Sequence, residues 1–99
     1  MEMEGLMAQA KQLQDKVAAA QELLDKTRVK GIAENGECIV EMSGKYDLVK
    51  LTIAPVLLER GVERLTDVVT AAFRDAKEKA DITIDRVMGE ATAGMPLPE

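Results

Sequence analysis

The chain predicts an α+β fold: a long N-terminal helix, a three-stranded antiparallel meander, a short turn and a long C-terminal helix. Three observations carry that reading. Apolar residues recur every three or four positions over the first quarter of the chain, and again over its last third. Between these stretches, apolar and polar residues alternate on either side of Asn35-Gly36, a strong short-range hairpin signal. Pro55 and Gly61 then punctuate the passage from the sheet into the last helix.

The first helix is predicted over about residues 3–25. Met3, Leu6, Ala10, Leu13, Val17, Ala20 and Leu24 step by three and four in alternation, which is a heptad seam. Polar residues such as Gln9, Lys11, Gln12, Gln14, Lys16 and Glu22 fill the other positions, and helix propensity is high throughout. Alanine at two seam positions makes the seam thin, suited to close helix packing but weak as a lone coiled coil. Two uses remain open: a core helix of a globular domain, or a helical arm within an oligomer.

Strands are predicted at about 27–33, 37–43 and 47–53. Asn35-Gly36 fits a type I′ turn, whose two central residues need positive φ, and Gly44 marks the second reversal. Cys38, Val40 and Met42 share one face of the second strand, and Val49, Leu51 and Ile53 share one face of the third, so that face is expected to be buried. The other face carries Glu41, Lys50 and Thr52, with Ile39 and Leu48 as apolar exceptions that suggest partial cover by a partner subunit. A small sheet covered only by its own helices leaves two edges unprotected. A chain of 99 residues also has a thin core. A homodimer answers both problems.

Pro55 ends the third strand, and Val56, Leu57 and Leu58 form a short apolar turn or a single turn of helix. After Gly61 the second long helix is predicted over about 62–91, with Leu65, Val69, Ala72, Phe73, Ala76, Ala80, Ile84, Val87 and Ala91 on its apolar face. The β-branched cluster in DITID, 81–85, lowers propensity, yet the seam continues through it. Gly94, Pro96 and Pro98 end the helix and leave a tail at 92–99.

Composition narrows the function classes. One domain is expected at this length. The only aromatic residues are Tyr46 and Phe73, so the core must be aliphatic, with six Met as adaptable filler. The chain has neither Trp nor His, which removes the usual physiological-pH base and the commonest metal ligand. Cys38 sits in an apolar run and reads as a buried thiol in a reducing cytosol. The acidic start lacks the features of a signal peptide, and no run reaches the roughly 20 apolar residues of a membrane span. A soluble, cytoplasmic protein without membrane contact is expected.

No nucleotide-binding glycine loop, nucleophile elbow or cysteine pair occurs, so no catalytic residue, cofactor or metal is predicted. Asp81 and Asp85, one helical turn apart, read as a solvated face. The remaining candidates are basic. The net charge of −5 opposes nonspecific polyanion binding, but residues 1–30 balance five basic against five acidic groups, leaving the deficit to the remainder. Lys26, Arg28 and Lys30 recur at i, i+2, i+4 and would project from one face of a strand. Arg74 and Lys77 share a face of the second helix, and Lys11 lies on the polar side of the first. Singly, each is an ordinary solvated charge; duplicated in a dimer, the strip would release several counterions from a DNA duplex.

Four stretches in order, LMAQAKQLQDKV, VEMSGKYDLVKLTIAPVLL, LTDVVTAAFRDA and TAGMPLP, give the chain a resemblance over essentially its whole length. It resembles the YbaB/EbfC family of bacterial nucleoid-associated proteins. It departs from the family pattern at Ala54, where an acidic residue is common, and in ending without a Gly/Phe-rich extension. The resemblance implies an obligate homodimer with the sheets at its centre and the long helices projecting as paired arms. It also implies binding of double-stranded DNA with little sequence preference, nucleoid location, and effects on nucleoid organisation and gene expression. The family supplies no contact motif, so the candidate DNA-binding residues stay Lys26, Arg28, Lys30, Lys11, Arg74 and Lys77, and no small-molecule substrate is expected. The alternative is a protein-interaction adaptor near the replication and recombination machinery, docking through the first helix and its Met1, Met3 and Met7.

Overall fold

The computed structural model describes residues 2–93. Met1 and residues 94–99, including the predicted stop signals Gly94, Pro96 and Pro98, lie outside the described residues. The element order is α1 (Glu2–Lys26), β1 (Arg28–Ala33), β2 (Cys38–Ser43), β3 (Leu48–Ile53), α2 (Pro55–Leu58) and α3 (Val62–Thr92). This is an α+β fold with one antiparallel sheet in the order β1-β2-β3. At 1.5 Å per residue α1 runs about 37 Å and α3 about 46 Å, and the molecule measures 70 × 22 × 17 Å. Helices of that length overhang a sheet whose strands have only six residues.

The hairpin forms where Asn35-Gly36 predicts it. Both residues have positive φ, 54° and 95°, and the Glu37 N–H donates to the Glu34 carbonyl at 3.1 Å. The register that follows places Gly31 opposite Val40 and Lys30 opposite Glu41. The second reversal works differently from expectation. Tyr46, not Gly44, adopts the left-handed conformation, with φ 68°. The Ser43 hydroxyl accepts the Lys45 and Asp47 N–H groups at 3.1 and 3.2 Å and holds the turn. Gly44 is glycine for another reason: a Cβ there would stand 2.8 Å from the Leu24 carbonyl, where α1 meets the sheet.

The core lies between α3 and the first two strands. Cys38, Val40 and Met42 are buried against Leu57, Val68, Ala72, Ala76 and Ala80. Alanines at 72, 76 and 80 bring the helix close, and over Gly31 it comes closest. A Cβ on Gly31 would fall 1.9 Å from the Ala72 carbonyl oxygen and 2.4 Å from the Ala76 nitrogen. α3 continues without a break through the β-branched 81–85. Beyond the sheet, its Val87 packs with Ala20 and Leu24 of α1, flanked by Ile84, Met88 and Ala91.

Two expectations about the core need correction. Of the third strand's apolar face only Ile53 packs against the core, half-buried; Val49 and Leu51 are 48 and 42% exposed, and Leu48 is 54% exposed. α3 covers β1 and β2, and one helix about 10 Å wide does not also cover a third strand at about 4.8 Å spacing. A register shift between Glu41 and Met42 also sets Leu48, not Val49, opposite Met42. Phe73 is likewise exposed, whereas Val68, absent from the predicted apolar face, is buried. Asp75 and Lys79 occupy the flank of α3 that faces β1, so Phe73, on the opposite flank at about 100° per residue, overhangs the β3 side.

The two edges of the sheet differ. On β1, the outward Ile32 N–H donates to Asp75 at 2.9 Å, and the Lys30 carbonyl accepts from Lys79 at 2.8 Å. The two side chains pair with each other at 3.0 Å. Edge groups satisfied in this way are closed to another strand. Among the described residues, β3 has no such cover and pairs only with β2.

Candidate nucleic-acid interface

Register decides which cations share a surface. Val29, Gly31 and Ala33 of β1 face α3, so Arg28, Lys30 and Ile32 alternate onto the outer face of the sheet. There Lys30 lies opposite Glu41, and Glu41 opposite Lys50. Ile32, Ile39 and Thr52 form the adjoining row. Three cations against one carboxylate therefore mark this face, and no described helix covers it.

The predicted strip of Lys26, Arg28 and Lys30 is only partly assembled. Lys26 is the last residue of α1, not part of the strand, and lies 3.5 Å from Glu22. Arg28 turns one guanidinium nitrogen back toward the end of α1, donating to the Asp25 carbonyl at 2.7 Å and the Thr27 carbonyl at 3.1 Å. Its other donors remain open to solvent, and a cation at a helix C-terminus is well placed against the dipole. Lys30 makes no ion pair among the described residues.

The other candidates lie elsewhere. Lys11 sits on the distal half of α1, 3.7 Å from Asp15. Arg74 is exposed on α3, on the side away from the sheet, with no ion pair among the described residues. Lys77, on the same helix, lies 3.4 Å from Asp81 and 5.6 Å from the centre of the Tyr46 ring. The six candidates thus occupy three surfaces: the outer sheet face with the end of α1, the distal arm of α1, and the solvent side of α3. Lys50 is the residue that sequence reasoning passed over. Its alternation with Thr52 placed it on the outer face, but only the register across β2 brings it into line with Lys30.

Several other charges are engaged within the chain. Arg60 donates to both carboxylate oxygens of Glu37 at 2.8 and 3.2 Å, and Arg64 pairs with Glu34 at 2.5 Å. This cluster ties the β1–β2 turn to the α2–α3 junction. The Tyr46 hydroxyl donates to Asp81, which pushes the phenol pKa up and holds the Asp81 carboxyl below its usual value. Asp75 is lowered chiefly by the Ile32 N–H, then by Lys79. Burial pushes the Cys38 thiol up, which suits a packing residue more than a nucleophile. Among the described residues no group of side chains could hold a metal ion, and no helix is long and apolar enough to cross a membrane. An open groove of about 350 Å³ between Ala20 and Leu23 of α1 and Val87 and Ala91 of α3 is shallow and lined mostly by small apolar groups.

Comparison with known proteins agrees with this architecture. A nucleoid-associated protein of Bordetella avium is 43% identical over 94 residues, which cover 95% of this chain and 87% of that one. The crystal structure of an uncharacterized protein from Helicobacter pylori superposes with a TM-score of 0.81, covering 91% of this chain and 96% of that one. At 19% identity that likeness concerns the fold. The model of the YbaB/EbfC DNA-binding family matches residues 1–95. The chain belongs to the YbaB/EbfC family of DNA-binding proteins.

Proposed function

We propose that the chain works as a homodimer that holds double-stranded DNA through its phosphates, with little sequence preference, and so contributes to nucleoid organisation and gene expression. The supporting observation is the outer sheet face, where Arg28, Lys30 and Lys50 stand against Glu41 alone. A three-stranded surface is broader than the helix or two-stranded ribbon that a major groove admits, whereas a cationic face positions a duplex without reading it. Lys26 at the margin of this face adds to it, since its exposed pair with Glu22 is weak enough for a phosphate to displace. Arg74, Lys77 and Lys11 are secondary contacts, on surfaces a wrapped or second duplex would reach.

The dimer reading draws on the sheet edges. β1 is closed by Asp75 and Lys79, while β3 presents Leu48, Val49 and Leu51 beside Phe73. Joining two copies at β3 would bury those side chains and pair the open strand. It would also double the cationic face.

The test is a triple variant, Arg28→Ala with Lys30→Ala and Lys50→Ala. Affinity should fall by a similar factor on unrelated duplexes, and the salt slope should flatten by roughly 0.9 for each phosphate that is no longer neutralised. Unchanged binding in that variant would remove the outer face from consideration.

A further inference from the structure

The outer sheet face carries an apolar pair beside its cations. Ile32 of β1 and Ile39 of β2 are direct cross-strand neighbours, and Thr52 of β3 completes their row. Ile32 is 47% exposed, and Ile39 is half-buried between its two neighbours. Two residues away along the strands, about 7 Å, runs the row of Lys30, Glu41 and Lys50. Strand formation alone does not call for isoleucine here, because threonine is also β-branched and stands in the same row at position 52.

The pair is held on a fixed backbone. The Ile32 N–H donates to Asp75 at 2.9 Å. Beyond the row, Arg60 and Arg64 fasten Glu37 and Glu34, which fixes the turn joining the two strands. Two aliphatic side chains are thus presented, in set positions, on a face whose charge suits a polyanion.

That charge names the occupant. A nucleic-acid backbone whose phosphates meet Lys30 and Lys50 sets its sugars against the adjoining row. DNA and RNA differ at those sugars. The 2′ carbon of DNA carries hydrogens alone, whereas that of RNA carries a hydroxyl that both donates and accepts. Against isoleucine methyls the hydroxyl loses water and gains no partner, and a desolvated polar group without a hydrogen bond is costly.

We propose that Ile32 and Ile39 are specificity-determining residues that make this face select deoxyribose over ribose, so that the protein takes DNA in preference to RNA. The cations hold either polymer, and the isoleucine pair sorts them. This selection rests on the outer-face binding proposed above and adds to it the class of nucleic acid.

Fluorescence anisotropy with a DNA duplex and an RNA duplex of one sequence, in the same buffer, tests this. The wild type should bind the DNA about tenfold more tightly, the factor expected when one desolvated hydroxyl lacks a partner. Ile32→Thr with Ile39→Thr keeps the β-branching and supplies hydroxyls that can pair with ribose. That variant should bring the ratio close to one, chiefly by tightening RNA, with the salt slope on DNA unchanged. Ile32→Thr alone, at the more exposed position, should move the ratio part of the way. Equal binding of both polymers by the wild type would overturn the inference. So would a preference that survives both threonines, since the A-form shape of RNA would then account for it. The triple variant Arg28→Ala, Lys30→Ala, Lys50→Ala separates the two levels, and it should weaken DNA and RNA by the same factor. If it does so while the preference survives the threonines, only the role of the isoleucine pair is overturned. If it binds both polymers as the wild type does, the face itself is excluded and the pair with it.

Discussion

Gly31 sets the distance between helix and sheet. Its missing Cβ lets the α3 backbone at Ala72 and Ala76 lie directly on β1. Gly31→Ala should therefore cost about 3 kcal/mol, the upper end for overpacking, read as a lower urea midpoint. Gly36→Ala has open space around it and only the positive φ of 95° to oppose it, so about 1 kcal/mol is expected. The sequence points to Gly36 because Asn-Gly announces its own turn; it is silent on Gly31, whose constraint comes from a helix far along the chain. Asp75 gives a second test at this scale. Its folded pKa lies below the ordinary value of 3.8, so its contribution is fully present above that value and fades as pH falls through the folded pKa. The urea midpoint of Asp75→Asn should be lower than wild type at neutral pH. The difference should narrow as pH drops below about 4.

At the level of elements, all three strands and both long helices were legible, because each declares a period or a turn. Which strands a helix covers was not. Alternation tells which side of β3 is apolar, but the width of α3 and its seating over Gly31 decide that only β1 and β2 lie beneath it. The same seating turns Phe73 outward. The exposed β3 face and the closed β1 edge make a directional prediction. Leu51→Lys should disrupt the β3 contact, lowering the sedimenting mass at low concentration, while Lys30→Ala should leave it unchanged. Replacing both Asp75 and Lys79 with Ala should uncover the β1 edge and raise aggregation, measurable by light scattering.

The whole molecule is elongated and acidic, with its cations unevenly placed. Of the candidate DNA contacts, Arg28 and Lys30 were legible from their spacing once β1 was recognised as a strand. Lys26 was assigned to the wrong element, since α1 runs through it. Lys50 needed the cross-strand register, which a single sequence gives only after every turn is correctly built. The net charge of −5 is a property of the whole surface, whereas a duplex meets one face of it, and that difference reconciles an acidic chain with a DNA-binding family. The most direct measurement is fluorescence anisotropy of the purified protein with two unrelated DNA duplexes across a salt series. Similar affinity for both, falling steeply and in parallel as salt rises, is the predicted result. Absence of binding at low salt, or strong binding to one duplex alone that ignores salt, would contradict the account.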